Sequence, residues 1–216
     1  MKGKEEILEG LLTEKLVAVV RLNHQAFVQP VLESLVAGGI KILEITTNTP
    51  GFRTEIKNAR LRYPDILIGA GTVINKHLAE HAIASGAQFL VTPNTNKEIA
   101  EIAFNANIPI LMGALTPTEI SDALSFGADI IKLFPAGQFG ISYLNALRGP
   151  FKNVKIFAVG GIGLDTLAEW VQAGIDGLGI GSSLVKASAS TAEDMKEIED
   201  LAKQFINGLR QGEHIF

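Results

Sequence analysis

The stretch Phe126-Gly127-Ala128-Asp129-Ile130-Ile131-Lys132-Leu133-Phe134 joins a helix stop to a buried strand. Gly127 stands where a helix takes a left-handed residue just past its end. Residues 130–134 then form a short β-rich apolar run. The same sequence of helix, glycine turn and strand recurs at Ala37-Gly38-Gly39, Ser85-Gly86-Ala87 and Ala173-Gly174-Ile175. Working outward from this unit, eight strands are predicted, at 17–22, 42–46, 67–71, 89–92, 110–114, 130–134, 156–159 and 177–180. Helical spacing fills stretches between them, among them 25–37, 76–85, 96–105, 117–126 and 165–173. An extra helix is expected over 1–14, ahead of the first strand, and a terminal one over 191–209. Near-continuous apolar strands alternating with helices imply a parallel sheet covered by helices, and eight such units close into a (β/α)₈ TIM barrel. An open doubly wound sheet is the structural alternative. No linker or repeat array divides the 216 residues, so one domain is expected.

Composition narrows the function. Apolar residues make up 47% and charged residues 19%, which is a folding chain rather than a disordered one. A net charge of -4, with no basic block interleaved with aromatics, argues against nucleic acid as a partner. The absence of cysteine excludes disulfides, thiolate catalysis and cysteine-ligated metals. No run approaches the roughly 18 apolar residues of a membrane span, and Lys4, Glu5, Glu6 and Glu9 interrupt the start, unlike a signal peptide. A cytoplasmic protein without membrane partners is the expectation.

Catalytic groups of a barrel come from the C-terminal ends of its strands, so polar residues in or just after the apolar runs are the informative ones. Lys132 lies within Ile130-Ile131-Lys132-Leu133-Phe134, Glu44 within Ile42-Leu43-Glu44-Ile45, and Arg21 ends Val17-Ala18-Val19-Val20-Arg21. Burying an unpaired charge costs several kcal/mol, of order 2–7 even for a neutral polar group, or shifts its pKa. One explanation is a lysine–glutamate pair that only holds register. The other is chemical: an apolar site lowers the pKa of Lys132, and the neutral amine attacks a ketone to form a Schiff base. Glu44 is then the acid/base.

Two glycine turns follow adjacent strands, Gly160-Gly161-Ile162-Gly163 and Gly179-Ile180-Gly181-Ser182-Ser183. The loops after strands seven and eight are where barrels most often hold phosphate. Glycine lets backbone N–H groups approach the oxygens, and a short helix opening near Ser182 is expected to add its dipole. The same turns also suit tight loops needing positive φ. Gly69-Ala70-Gly71-Thr72 closes strand three and offers the Thr72 hydroxyl to a substrate carboxylate or carbonyl. His77-Leu78-Ala79-Glu80-His81 matches a zinc-protease pattern, but on an outer helix it lacks the context for metal binding. His24 and His214 have no companion ligand in sequence, and no metal site is expected.

These residues resemble the class I aldolases that act on 2-keto-3-deoxy-6-phosphogluconate (KDPG) and 4-hydroxy-2-oxoglutarate (KHG). The resemblance spans about residues 16–186 and rests on Ile131-Lys132-Leu133-Phe134-Pro135-Ala136, Leu43-Glu44-Ile45-Thr46, Gly69-Ala70-Gly71-Thr72-Val73, Gly149-Pro150-Phe151 and Gly160-Gly161-Ile162. It implies a (β/α)₈ homotrimer that releases pyruvate and an aldehyde from a keto-acid sugar phosphate without cofactor or metal. Carried over by residue, Lys132 forms the Schiff base and Glu44 shuttles protons. Thr72, Pro93 and Phe134 shape the pyruvyl pocket, Arg21 faces the substrate, and Gly160, Gly161, Gly181 and Ser182 bind phosphate. Asn48 and Val159 replace an arginine and a threonine common among the phosphogluconate enzymes. Together with Thr92-Pro93-Asn94 and Phe139-Gly140, they resemble enzymes for the C4 epimer, 2-keto-3-deoxy-6-phosphogalactonate (KDPGal). The competing readings are a metal-dependent barrel isomerase or class II aldolase, and a non-catalytic sugar-phosphate binding barrel.

Overall fold

The computed structural model describes residues 3–213, and its strands close into a parallel barrel in the order β1 to β8. The strands are β1 Leu16–Val20, β2 Ile42–Thr46, β3 Leu67–Gly71, β4 Leu90–Val91, β5 Ile110–Ala114, β6 Ile130–Leu133, β7 Ile156–Val159 and β8 Gly177–Ile180. Helix α1 (Lys4–Glu14) precedes β1, and α2 (Val28–Ala37), α3 (Phe52–Arg62), α4 (Lys76–Ala84), α5 (Lys97–Asn105), α6 (Pro117–Ser125), α7 (Ala136–Arg148) and α8 (Leu164–Gln172) each follow a strand. Helix α9 (Ala192–Glu213) ends the described chain.

Strand periodicity divides the core in two. Alternate residues such as Ala18, Leu43, Ile68, Met112, Ile131 and Ala158 point outward and pack beneath the helices. Val17, Ile42, Leu67, Phe89, Leu111, Ile130 and Phe157 point inward and form a separate cluster with Ile7 and Leu11 of α1. Helix α1 therefore plugs the N-terminal end of the barrel. Gly10 fits it there, because a Cβ at that position would lie 2.9 Å from Leu67 Cδ1. Lys4 fixes the plug with an ion pair to Asp129 at 2.7 Å, just before β6. The barrel is thus closed below by apolar packing and open at the C-terminal ends of its strands.

The expected strands differ from the observed ones at their ends. Strand β1 stops at Val20 rather than at residue 22, because the Leu22 N–H leaves the ladder for Thr49 Oγ1 at 3.2 Å. Strand β4 is two residues long: the Thr92 hydroxyl takes the Gly113 N–H at 3.0 Å and donates to Asn94 C=O at 2.7 Å, turning the chain out of the sheet. Strand β6 ends at Leu133, one residue before Phe134. The N-terminal helix begins at Lys4, and the first two residues of its expected span lie outside the described residues, as does His214. Helix α9 runs on to Glu213, past the expected residue 209.

Candidate active site

Strands β2 and β6 face each other across the eight-membered ring, and each carries one charged residue into the barrel. Glu44 is 2% exposed and Lys132 is 6% exposed. Both positions follow from register. Glu44 lies level with Val19 and Gly69 on the neighbouring strands, and Lys132 lies level with Gly113 and Phe157.

Burial governs the chemistry of both groups. Desolvation holds the Lys132 ammonium below the ordinary lysine pKa, against the attraction of Glu44, and the Arg21 guanidinium lowers it further. Desolvation raises the Glu44 carboxyl, opposed by the positive charges of Lys132 and Arg21. Among the described residues, Glu44 Oε1 is buried without a hydrogen-bond partner. The Lys132 ammonium lies 5.1 Å from the centre of the Phe134 ring, which walls one side of it.

A cavity of about 310 Å³ opens above Lys132 at the C-terminal ends of the strands. Arg21, Thr72, Pro93, Lys132, Phe134, Val159, Gly160, Gly161, Gly181 and Ser182 all line it. Of the residues expected to be catalytic or to bind substrate or phosphate, Glu44 alone is absent from this wall; it lies tucked against β3, where Gly71 leaves space for it. Arg21 reaches over the mouth, its Nη2 donating to Thr72 Oγ1 at 3.3 Å. Val159 is 8% exposed and packs beside Gly179, where a Cβ would fall 2.7 Å from Val159 Cγ2.

The far end of the cavity is built from backbone. Gly160 and Gly161 take φ of +88° and +75°, left-handed conformations that favour glycine. After β8 the expected short helix does not form. Leu184 N–H and Val185 N–H both bond to Gly181 C=O at 2.9 Å, giving a single turn. The chain then runs without helix to Ala192, so only the local N–H groups act there, without an extended dipole. Among the described residues, the N–H groups of Gly161, Ser182 and Ser183 donate to no protein acceptor.

Sequence reasoning passed over Val19, Val185 and Ala187 as lining residues. The period-two alternation that places Glu44 inward also places Val19 there, whereas Val185 and Ala187 lie in the irregular segment after β8, which has no such period. Asn48 is exposed and does not line the cavity. His77 and His81 sit on α4 outside the barrel, and His77 Nδ1 lies 3.8 Å from Glu80. Among the described residues no group of three or more His, Asp or Glu side chains comes together. A larger hollow of about 680 Å³ lies at the opposite end, by Lys15, Lys155 and Asp176, remote from both buried charges.

The family model for KDPG and KHG aldolases matches residues 7–201. The chain belongs to the KDPG and KHG aldolase family. It is therefore a carbon–carbon lyase acting on a small molecule. It is 34% identical over 202 residues to the 2-dehydro-3-deoxy-phosphogluconate aldolase of Treponema pallidum, covering 93% of this chain and 96% of that one. Identity to the 2-dehydro-3-deoxy-6-phosphogalactonate aldolase of Escherichia coli is 33% over 174 residues, 80% of this chain and 85% of that one. Among solved structures, a native KDPGal structure superposes with a TM-score of 0.86 at 30% identity, over 92% of this chain and 96% of the other. The KDPG aldolase of Legionella pneumophila, captured with pyruvate as a covalent carbinolamine, superposes at 0.83 with 28% identity, covering 94% and 97% of the two chains. No helix among the described residues of this aldolase is long and apolar enough to cross a membrane.

Proposed function

We propose that this aldolase works through a Schiff base on Lys132, cleaving a 2-keto-3-deoxy-6-phospho sugar acid to pyruvate and D-glyceraldehyde 3-phosphate. The observation that carries the reading is a desolvated amine at the floor of a cavity whose far wall is a set of free backbone donors. The neutral Lys132 amine adds to the C2 ketone, and the carbinolamine loses water to give an iminium. Removal of the C4 hydroxyl proton by the Glu44 carboxylate, through a water, breaks C3–C4. The bonding pair flows into the iminium and leaves an enamine as the aldehyde departs. Protonation at C3 and hydrolysis release pyruvate and restore the amine.

Arg21, Thr72, Pro93 and Phe134 surround the pyruvyl end in this reading. Gly160, Gly161, Gly181 and Ser182 take the phosphate, whose binding energy holds the reacting carbons in place. Activity on 4-hydroxy-2-oxoglutarate, giving pyruvate and glyoxylate, follows from the same chemistry without the phosphate. The phosphogalactonate epimer is the preferred substrate on this reading, since Val159 offers no hydroxyl to orient the C4 alcohol. Comparable kcat/KM for the two epimers would end that preference. A cytoplasmic single-domain homotrimer completes the proposal.

Borohydride reduction in the presence of pyruvate, followed by peptide mass spectrometry, tests the mechanism. A reduced pyruvate adduct on Lys132, with turnover abolished in folded Lys132→Ala, is expected. Retained turnover in that variant overturns it.

A further inference from the structure

Gly71 ends β3 directly beside the Glu44 carboxyl. A Cβ built there would fall inside contact distance of Glu44 Oε1 and Cδ, and 2.6 Å from Glu44 Cγ. Gly71 does not need its glycine for φ, because its backbone lies outside the left-handed region. What the position requires is empty volume, and the Glu44 carboxyl fills it. That carboxyl makes no hydrogen bond through Oε1 among the described residues, and Lys132 and Arg21 act on it through charge.

The next residue adds a second device. Thr72 takes φ +56°, a left-handed conformation that β-branched residues rarely adopt. Thr47, one residue beyond β2, binds this turn on both sides. Its N–H donates to Gly71 C=O at 2.8 Å, and its hydroxyl donates to Thr72 C=O at 2.7 Å. The clamp joins the strand that bears Glu44 to the turn that makes room for it. Backbone strain retained at a site needs surroundings that over-determine it, and Thr47 supplies two bonds to that end.

We propose that Gly71 and Thr47 are positioning residues for Glu44: Gly71 forms the slot that seats its carboxyl, and Thr47 fixes the slot's wall. This rests on the reading of Glu44 as the acid/base. A carboxyl displaced by about 1 Å loses of order 100-fold in rate.

The test is a double-mutant cycle on purified, folded enzyme. Gly71→Ala is expected to lower kcat about 100-fold with KM changed less than about threefold, while the borohydride-trapped pyruvate adduct on Lys132 still forms. In a Glu44→Gln background the same alanine is expected to cost nothing further, because the group it displaces no longer transfers protons. Thr47→Val is expected to follow the same pattern at about tenfold, with Thr47→Ser restoring the rate. Losses that multiply in the Glu44→Gln background, or wild-type kcat in Gly71→Ala, overturn the proposal. If Gly71→Ala does not fold, the threonine pair decides: wild-type rate in Thr47→Val, or no rescue by serine, overturns it. Full activity of Glu44→Gln alone defeats the acid/base reading instead, so the two failures are distinguishable.

Discussion

Lys132 and Glu44 are shifted in opposite directions by the same cause, and the sign of each shift sets a pH dependence. Burial lowers the lysine, so its reactive neutral form is populated at a lower pH than for a free amine. Burial raises the glutamate, so its basic form is lost on acidification sooner than for a free carboxylate. The rate of reducible pyruvate adduct formation should therefore rise with pH and level off below the ordinary lysine value of 10.5. A rate still climbing tenfold per pH unit at that value would remove the desolvated amine. At this scale the sequence was highly informative, because a charge inside an apolar strand has few destinations. Lys132 and Glu44 could be read from their neighbours alone, and one cavity gathers Lys132 with the residues expected to bind substrate and phosphate. The slot at Gly71 could not be read that way. Glycine in Gly69-Ala70-Gly71 has the same letters whether it serves a turn, a close packing contact or a carboxyl, and only the folded neighbour distinguishes them.

Elements place the end of the cavity proposed to take phosphate, and α7 is the one that acts on it. Gly137, in the first turn of α7, donates its N–H to Gly160 C=O at 2.8 Å, and a Cβ on it would fall 2.7 Å from Gly161 C. The start of α7 is therefore pressed against the Gly160–Gly161 turn. Gly137→Ala should push that turn away and raise KM for a phosphorylated substrate by about tenfold, a loss of about 1.4 kcal/mol. Turnover of unphosphorylated 4-hydroxy-2-oxoglutarate should stay within about twofold, since the pyruvyl end is untouched; an equal loss on both substrates would place the damage elsewhere. Strands were legible because burial on both faces leaves nearly unbroken apolar runs. Their ends were not, because Thr92 and Thr49 side chains substitute for ladder bonds that sequence patterns presuppose. Helices α3 and α7 were not among the stretches singled out by spacing. The first is largely polar, and Gly140 at φ +70° interrupts the second. The expected helix at Ser182 failed because two bonds to Gly181 C=O close a single turn that does not continue.

Across the whole molecule, the barrel interior is divided between a stabilising half and a chemical half. Below, α1 seals an apolar cluster; above, two ionisable groups lie in low dielectric without a mutual hydrogen bond. Each makes the fold depend on pH. The lysine has a folded pKa below its unfolded value, so between the two the unfolded chain holds the extra proton and stability rises with pH. The glutamate has a folded pKa above its unfolded value of 4.5, so through that window the folded chain holds the extra proton and stability falls as pH rises. At neutral pH both shifts oppose folding. Replacing a buried charged pair with well-packed hydrophobic residues of similar volume is commonly neutral or stabilising by about 1–4 kcal/mol. The double variant Lys132→Met, Glu44→Met should therefore lose all turnover yet unfold at a temperature equal to or above that of the parent, with a flatter dependence on pH. Thermal unfolding followed by circular dichroism between pH 5 and 9 measures both. A fall of several degrees would mean that the pair supports the barrel, and the buried charges would then be structural rather than held against stability for the reaction.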